Sequence, residues 1–390
     1  MNAPCTRSLA ISVQRCIAAV AVGAGLLITT AEAAGQDRFQ QTNLVSNDQT
    51  ISGVVQFDSR LINPWGLIRA DTGSWFVING QSAFAPSDTS FSQAGIATSY
   101  TGDGVIDVTS INLPAPRAAR LQGQAFTGVF NPFGESRQIF VVRQLPISSP
   151  AQFIFAGQNG AISGWSPVAL FPQPTENAQL LIGDGFFDGQ FTGAAIDVRT
   201  NNPRLLLTDF QNGRVVAFDS QFRQVNLGSS AFRDSLISSR LRPVNIVRFD
   251  NRFIVAFAER DDNDGLPVVG NGRGAVTVFD ADGRVLTRLT GEQFNAPVGV
   301  ARAPRDFGDF SNAILVSNFG DGRILAFDAD TGKFIGAMRD PNGRVLRITG
   351  IRSIAFGNDD TAGPSNTLFF TASPDLDDQS LFGRIDLVEQ

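Results

Sequence analysis

The chain of 390 residues contains no histidine, and its two cysteines, Cys5 and Cys16, both lie near the start. Without histidine there is neither the usual general base nor the commonest metal ligand. Ser-His-Asp and Cys-His catalysis are excluded, and so are zinc sites of the usual kind. Lysine occurs once, at Lys333, so nearly all positive charge is arginine, which reads as a compositional bias and not as a phosphate-binding feature. Chemistry is left to carboxylate, guanidinium, hydroxyl and amide groups.

The first residues read as an export signal. Arg7 and Arg15 form a basic region, 17–28 is a short apolar run, and Ala31-Glu32-Ala33 fits a small-x-small cleavage site. The apolar run is short for a membrane span, and no later stretch is long and apolar enough for one. The expected mature chain starts near Ala34, in the periplasm or outside the cell. It would carry no cysteine, hence no disulfide, thiolate nucleophile or thiolate metal site. Cys16 precedes the apolar run, which argues against a lipoprotein anchor. Losing Arg7, Arg15 and Glu32 takes the net charge from −6 to −7. An acidic surface of this kind disfavours nucleic acid and anionic membranes as partners.

What the chain does have is a repeat. Strand-like openings read PWGLIRA, FTGVF, FTGAAID, PVNIVRF, PVGVARA and IRSIAFG; their third residues are 66, 128, 193, 245, 299 and 353. Gly-led strands follow at 95, 160, 213, 274, 322 and 383. Both series step by about one blade of a β-propeller, roughly 40–50 residues or a little more. Between them run apolar second strands such as LLLTDF (205–210), FIVAFAE (253–259) and ILVSNF (314–319). Turns such as Gln158-Asn159-Gly160, Gln211-Asn212-Gly213 and Gly320-Asp321-Gly322 join the second strand to the third. Third strands close on Phe218-Asp219, Phe279-Asp280 and Phe327-Asp328. The aspartates precede chain reversals and read as turn residues. The phenylalanines are expected to pack between blades, which helps explain why the chain holds 33 of them.

The expected fold is all-β: one six-bladed propeller over residues 34–390 after a signal at 1–33. Blades are expected at 62–115, 121–185, 190–235, 241–291, 295–345 and 348–390. The last is one strand short. The segment 42–46 lies outside any blade and is placed to supply that strand and close the ring, which removes free sheet edges.

The motifs NLVS…LINPWGL, GAISGWS, TDFQNGRVVAFD, GNGRGAVTVFD, the long run 307–343 and the terminal TLFFTASPD…LFGRID resemble an exported bacterial family of conserved hypothetical propellers. Some members of that family carry a PEP-CTERM sorting tail. The resemblance covers roughly 41–384 and implies a six-bladed propeller of the NHL or gluconolactonase-like kind, with no established activity. This chain ends at Gln390 without such a tail. Where family members often have histidine, it reads Gln211 and the loop 375–380, so histidine-dependent activity is not implied.

In gluconolactonase-like propellers a channel calcium is held by Glu, Asn and Asp from several blades. The resemblance therefore points to Asn245, which stands where other openings have Gly, followed by Asn63 and Glu259. A lone Asn at a strand start also caps or turns, so Asn245 has a second reading: a hydrogen bond to the neighbouring opening. The insertion 258–274 crowds Asp261, Asp262, Asn263 and Asp264 together. It is either a second calcium site or a solvated acidic loop, and its spacing does not match the twelve-residue calcium loop. Trp65 and Trp165 sit at what look like equivalent ends of repeats, as core or as a platform at the channel mouth. GNGRG (270–274) lacks the lysine and following helix of a phosphate loop. The functional expectation is a scaffold for a small molecule, polysaccharide or protein. The alternatives are a calcium-dependent lactonase or esterase, and a structural protein tied to an extracellular matrix.

Overall fold

The computed structural model describes residues 37–80, 93–114, 125–134, 137–144, 147–157, 160–167, 176–183, 188–199, 202–292, 294–375 and 379–388. The proposed signal, with Cys5 and Cys16, lies outside the described residues, as do Gln158 and Asn159.

Each repeat folds because its first three strands are apolar enough to be covered on both faces. The second strands show it most clearly: Trp75–Gly80, Ala313–Asn318 and Phe153–Gly157 are buried at every position. A sheet buried on both faces needs other sheets against both, and radial packing of blades supplies them. Six blade sheets are described, antiparallel throughout except for one short parallel edge strand in blade 6. Their inner strands are Pro64–Ile68, Ala125–Phe130, Phe191–Asp197, Leu241–Phe249, Pro297–Arg302 and Ile351–Phe356. The blade limits agree with those expected from the repeat.

Phe218, Phe279 and Phe327 are fully buried, in three clusters that each draw on two adjacent blades. Asp219, Asp280 and Asp328 are turn residues, as expected. The Asp219 carboxylate accepts the N–H groups of Gln221 and Arg223, and Asp280 does the same for Asp282 and Arg284. Asp328 accepts from Asp330 and Thr331; the Thr331 hydrogen bonds hold its carboxyl below the usual range.

The ring closes through the N-terminal strand Arg38–Ser46, which runs antiparallel to the last strand, Gln379–Val388, as the fourth strand of blade 6, with the two-residue strand Gln56–Phe57 parallel outside it. It starts four residues earlier than the sequence suggested. The extra turn of chain brings in Phe39, which stacks on Phe310 and packs against Phe307. One feature had no signal in the repeat. Blade 2 carries a hairpin, Val141–Gln144 with Ile147–Pro150, between its first and second strands.

Candidate functional site

The Gly at the third position of an opening is explained by how closely inner strands approach one another. A Cβ on Gly193 would lie 2.6 Å from Asn245 Cα, and one on Gly299 would lie 2.4 Å from the Arg352 carbonyl. Only a residue without a side chain fits there. Hydrogen bonds between blades cross at the same level. The Thr208 hydroxyl of blade 3 donates to Val244 O of blade 4 at 3.2 Å. The Ser317 hydroxyl of blade 5 donates to Arg352 O of blade 6 at 3.1 Å. Thr371 of blade 6 reaches Trp65 O of blade 1 at 3.5 Å.

Blade 4 makes this connection differently. Gly193 faces Thr208 and Gly299 faces Ser317 across their strand pairs, but Asn245 faces Ala256, which has no hydroxyl. The Asn245 amide takes its place, donating to Val298 O at 2.8 Å. Its Oδ1 accepts the N–H of Ile246. Asn245→Ala should therefore destabilise by about 1–2 kcal/mol, the usual result of leaving a buried carbonyl without its donor. The double change Asn245→Gly with Ala256→Ser copies the neighbouring blades. It should return urea-unfolding stability to within about 0.5 kcal/mol of the parent. A double variant no better than the single one would contradict this role.

The strand starts form the closed end of the channel. Trp65, from blade 1, packs edge-on against Phe126 of blade 2 and stacks at 6.5 Å on Phe319 of blade 5. The Arg352 guanidinium of blade 6 lies 4.0 Å over its ring. A side chain of blade 1 that touches blades 2, 5 and 6 must lie across the axis. Trp65 and Arg352 are 9% and 3% exposed, so this end is sealed. Arg352 is held further by Asn63 Oδ1 and by Pro64 O. Trp165 is not the counterpart of Trp65. It lies on the third strand of blade 2, in the core with Phe76 and Phe153.

Below the Trp65 plug the inner strands enclose a shaft of about 490 Å³, lined from all six blades. That size is within the usual range for a small-molecule pocket. Its walls mix aliphatic side chains, Leu67, Val129, Ala195, Ile246, Val300 and Ile354 among them, with polar ones such as Thr127, Thr192, Asn245 and Ser353. Its exposed members, Asp71, Pro132 and Arg248, lie at or just beyond the strand ends, so the shaft opens on that face. A larger cleft of about 1,270 Å³ lies outside, between blades 2 and 3, and draws on those two blades alone.

The open end carries three arginines. Arg69, Arg248 and Arg302 follow the third-position residue of blades 1, 4 and 5 by three places, in GLIRA, NIVRF and GVARA. Stacking the six openings on that residue would have aligned them, but the repeat alone could not tell which end was open. None of the three forms an ion pair with a described residue. Arg69 Nε donates to Phe356 O at 2.7 Å, and Arg248 Nε to Asp250 O at 2.9 Å. The Arg302 guanidinium lies 4.6 Å over the Phe249 ring. It makes no hydrogen bond to a described residue, and its Nη1 is buried. Burial pulls the Arg69 and Arg302 guanidiniums below their ordinary values, against the pull of neighbouring aspartates.

The residues singled out as calcium ligands make the following contacts. Asn63 Oδ1 accepts from Arg352, and Asn245 serves the inter-blade connection. Glu259 Oε2 pairs with Arg273 at 2.7 Å. In the acidic insertion, Asp261 Oδ1 accepts from Asn263 N and Nδ2, and Asp264 Oδ1 accepts from Leu266 N. Asp262 pairs with Arg260 at 3.2 Å. Arg260 and Gly265 of the insertion both bond Gln190 of blade 3, and Gly270 N bonds Asn295 Oδ1 before blade 5. The insertion thus ties its neighbours together. Among the described residues, no group of three or more His, Cys, Asp or Glu side chains is gathered as for a metal ion.

No protein-family model matches the chain. Two curated relatives are uncharacterized proteins of Acanthamoeba polyphaga mimivirus. One is 30% identical over 226 residues, 57% of this chain and 41% of the relative. The other is 28% identical over 341 residues, 84% of this chain and 76% of the relative. The chain therefore spans less than half the length of the first. Among solved structures, a gluconolactonase from Xanthomonas campestris is similar with a TM-score of 0.32 at 15% identity, over 60% of this chain and 82% of that one. So loose a likeness carries no activity across. Among the described residues, no helix is long and apolar enough to cross a membrane.

Proposed function

We propose that this protein is a binding module whose ligand is a small, mainly apolar molecule held in the central shaft. One observation carries the reading: all six inner strands converge on a single cavity, sealed at one end by Trp65 and Arg352 and open at the other. The aliphatic part of the wall of this blind shaft favours burial of apolar groups, worth roughly 25 cal/mol per Å² of surface removed from water. Two hydroxyls near its sealed end are already engaged: the Ser353 hydroxyl donates to Trp65 O at 2.5 Å, and Thr192 meets Thr208 at 3.3 Å. That arrangement suits retention better than turnover.

The neutral fluorophore N-phenyl-1-naphthylamine tests the proposal directly. It should bind with a single site per chain and quench tryptophan emission, since Trp65 lies at the sealed end. Ala194 is a partly buried residue of the shaft wall. Ala194→Trp should fill the shaft and weaken binding at least tenfold, with the circular dichroism spectrum preserved. Equal binding by a folded Ala194→Trp variant would refute the location.

A further inference from the structure

We infer that the ligand of the shaft bears a single negative charge, of carboxylate type, which docks on Arg302 with Arg248 and Arg69 around it. The inference rests on the shaft being the binding site and adds the chemistry of the ligand's head.

Arg302 carries the argument. A guanidinium presents five N–H donors and stays charged at any physiological pH. Buried polar groups are nearly always hydrogen-bonded, and a buried donor left unmatched is costly. The Arg302 side chain nevertheless makes no hydrogen bond to a described residue, its Nη1 is buried, and the Phe249 face at 4.6 Å is its close support. Stacking on an aromatic ring holds the plane of the group still while leaving its donors for another partner. Two further arginines line the same opening. Arg248 commits only Nε, to Asp250 O, and its side chain is exposed at the opening. Arg69 is fixed by Phe356 O and Ala70 O, and lies 5.7 Å from the Trp75 ring centre. The lining holds these three arginines against one acid, Asp71.

The surroundings restrict the charge of the guest. Asp250, Asp328 and Asp330 act on Arg302 from outside the lining, and Asp359 acts with Asp71 on Arg69. The whole chain is acidic as well. A multiply charged head would meet repulsion from this outer ring, whereas one carboxylate can take a two-pronged bond from a guanidinium. An apolar chain attached to that carboxylate would then run inward along Val300, Ile246 and Leu67 towards Trp65.

Octanoate and 1-octanol, which share a chain and differ in the head, separate the two readings. Each is titrated at pH 7.5 against bound N-phenyl-1-naphthylamine. Octanoate should bind at least tenfold more tightly than octanol. In Arg302→Gln that preference should fall to within twofold; in Arg248→Gln it should fall at least threefold. Arg302→Lys, which keeps the charge but not the fork, should retain part of it. Equal affinity for the two probes in the parent protein overturns the charged-head inference and leaves the shaft as the site. A preference that survives Arg302→Gln overturns the assignment to Arg302. Failure of both probes and of the fluorophore overturns the shaft itself. Thermal midpoints of each variant establish folding, and Arg248→Gln, on an exposed side chain, keeps the test decisive should Arg302→Gln fail to fold.

Discussion

A chain beginning at Gln49, without the N-terminal strand, is expected to lose its cooperative thermal transition. Three consequences add up. Phe39, Leu44 and Val45 are at most 2% exposed and would leave the core. At about 1.5–3 kcal/mol for each buried side chain, that is roughly 5–9 kcal/mol. Net stabilities of whole domains are only about 5–15 kcal/mol. The last strand, Gln379–Val388, would lose a partner along eight residue pairs and become an open edge. A buried contact that fastens the ends would go too: the Ser46 hydroxyl donates to Ser380 O at 2.8 Å. Circular dichroism melts of the truncated and parent chains decide the matter. An unchanged midpoint would mean that the ring does not depend on this strand.

The second large effect is expected at Asp234. Its side chain is fully buried and receives the Arg288 fork at 2.6 and 2.7 Å, the Thr277 hydroxyl at 2.9 Å and the Leu236 N–H at 3.0 Å. Asp234→Ala removes the acceptor from three donors at once. Breaking a buried pair costs about 3–5 kcal/mol. Arg288 is 34% exposed, so water partly compensates it, and about 2–4 kcal/mol is the expected loss. The pair also makes a pH prediction. Burial pushes the Asp234 carboxyl up, but hydrogen bonds from Arg288, Leu236 and Thr277 outweigh burial and hold it below its ordinary value. A carboxyl lowered in the folded state contributes its full stability above the unfolded value, near 3.9, and loses it as pH falls through the lowered folded value. Stability measured from pH 6 down to pH 2 should therefore fall less steeply in Asp234→Asn than in the parent. Parallel curves would show that this carboxylate is not a source of acid sensitivity.

Most of the architecture was legible because blades repeat their local chemistry. The openings, the Asn- and Asp-bearing turns and the closing Phe-Asp pairs are short-range signals, and each recurs in register with its neighbours. The strand that closes the ring was readable by subtraction, since one blade lacked a strand and one segment lacked a blade. The hairpin at 141–150 was not readable. It interrupts blade 2 where the other blades have a short connection, and no other blade offers a copy for comparison.

The site divides differently. Sequence by itself determined which side chains stand at matching places on the inner strands, including Gly193, Asn245, Gly299 and the three arginines. It determined this because position along a strand fixes depth along the axis. It also excluded histidine chemistry, since the chain holds no histidine. Only the tertiary structure decided which end of the shaft is closed, because closure depends on one indole reaching across the axis to Phe126, Phe319 and Arg352. Only the tertiary structure showed that Asn245 replaces a hydroxyl missing from Ala256, a substitution visible only once two strands are paired and two blades are adjacent. The three arginines gained their meaning in the same way. Equivalent positions become a site when the strands carrying them surround one cavity, and that is a property of the closed ring.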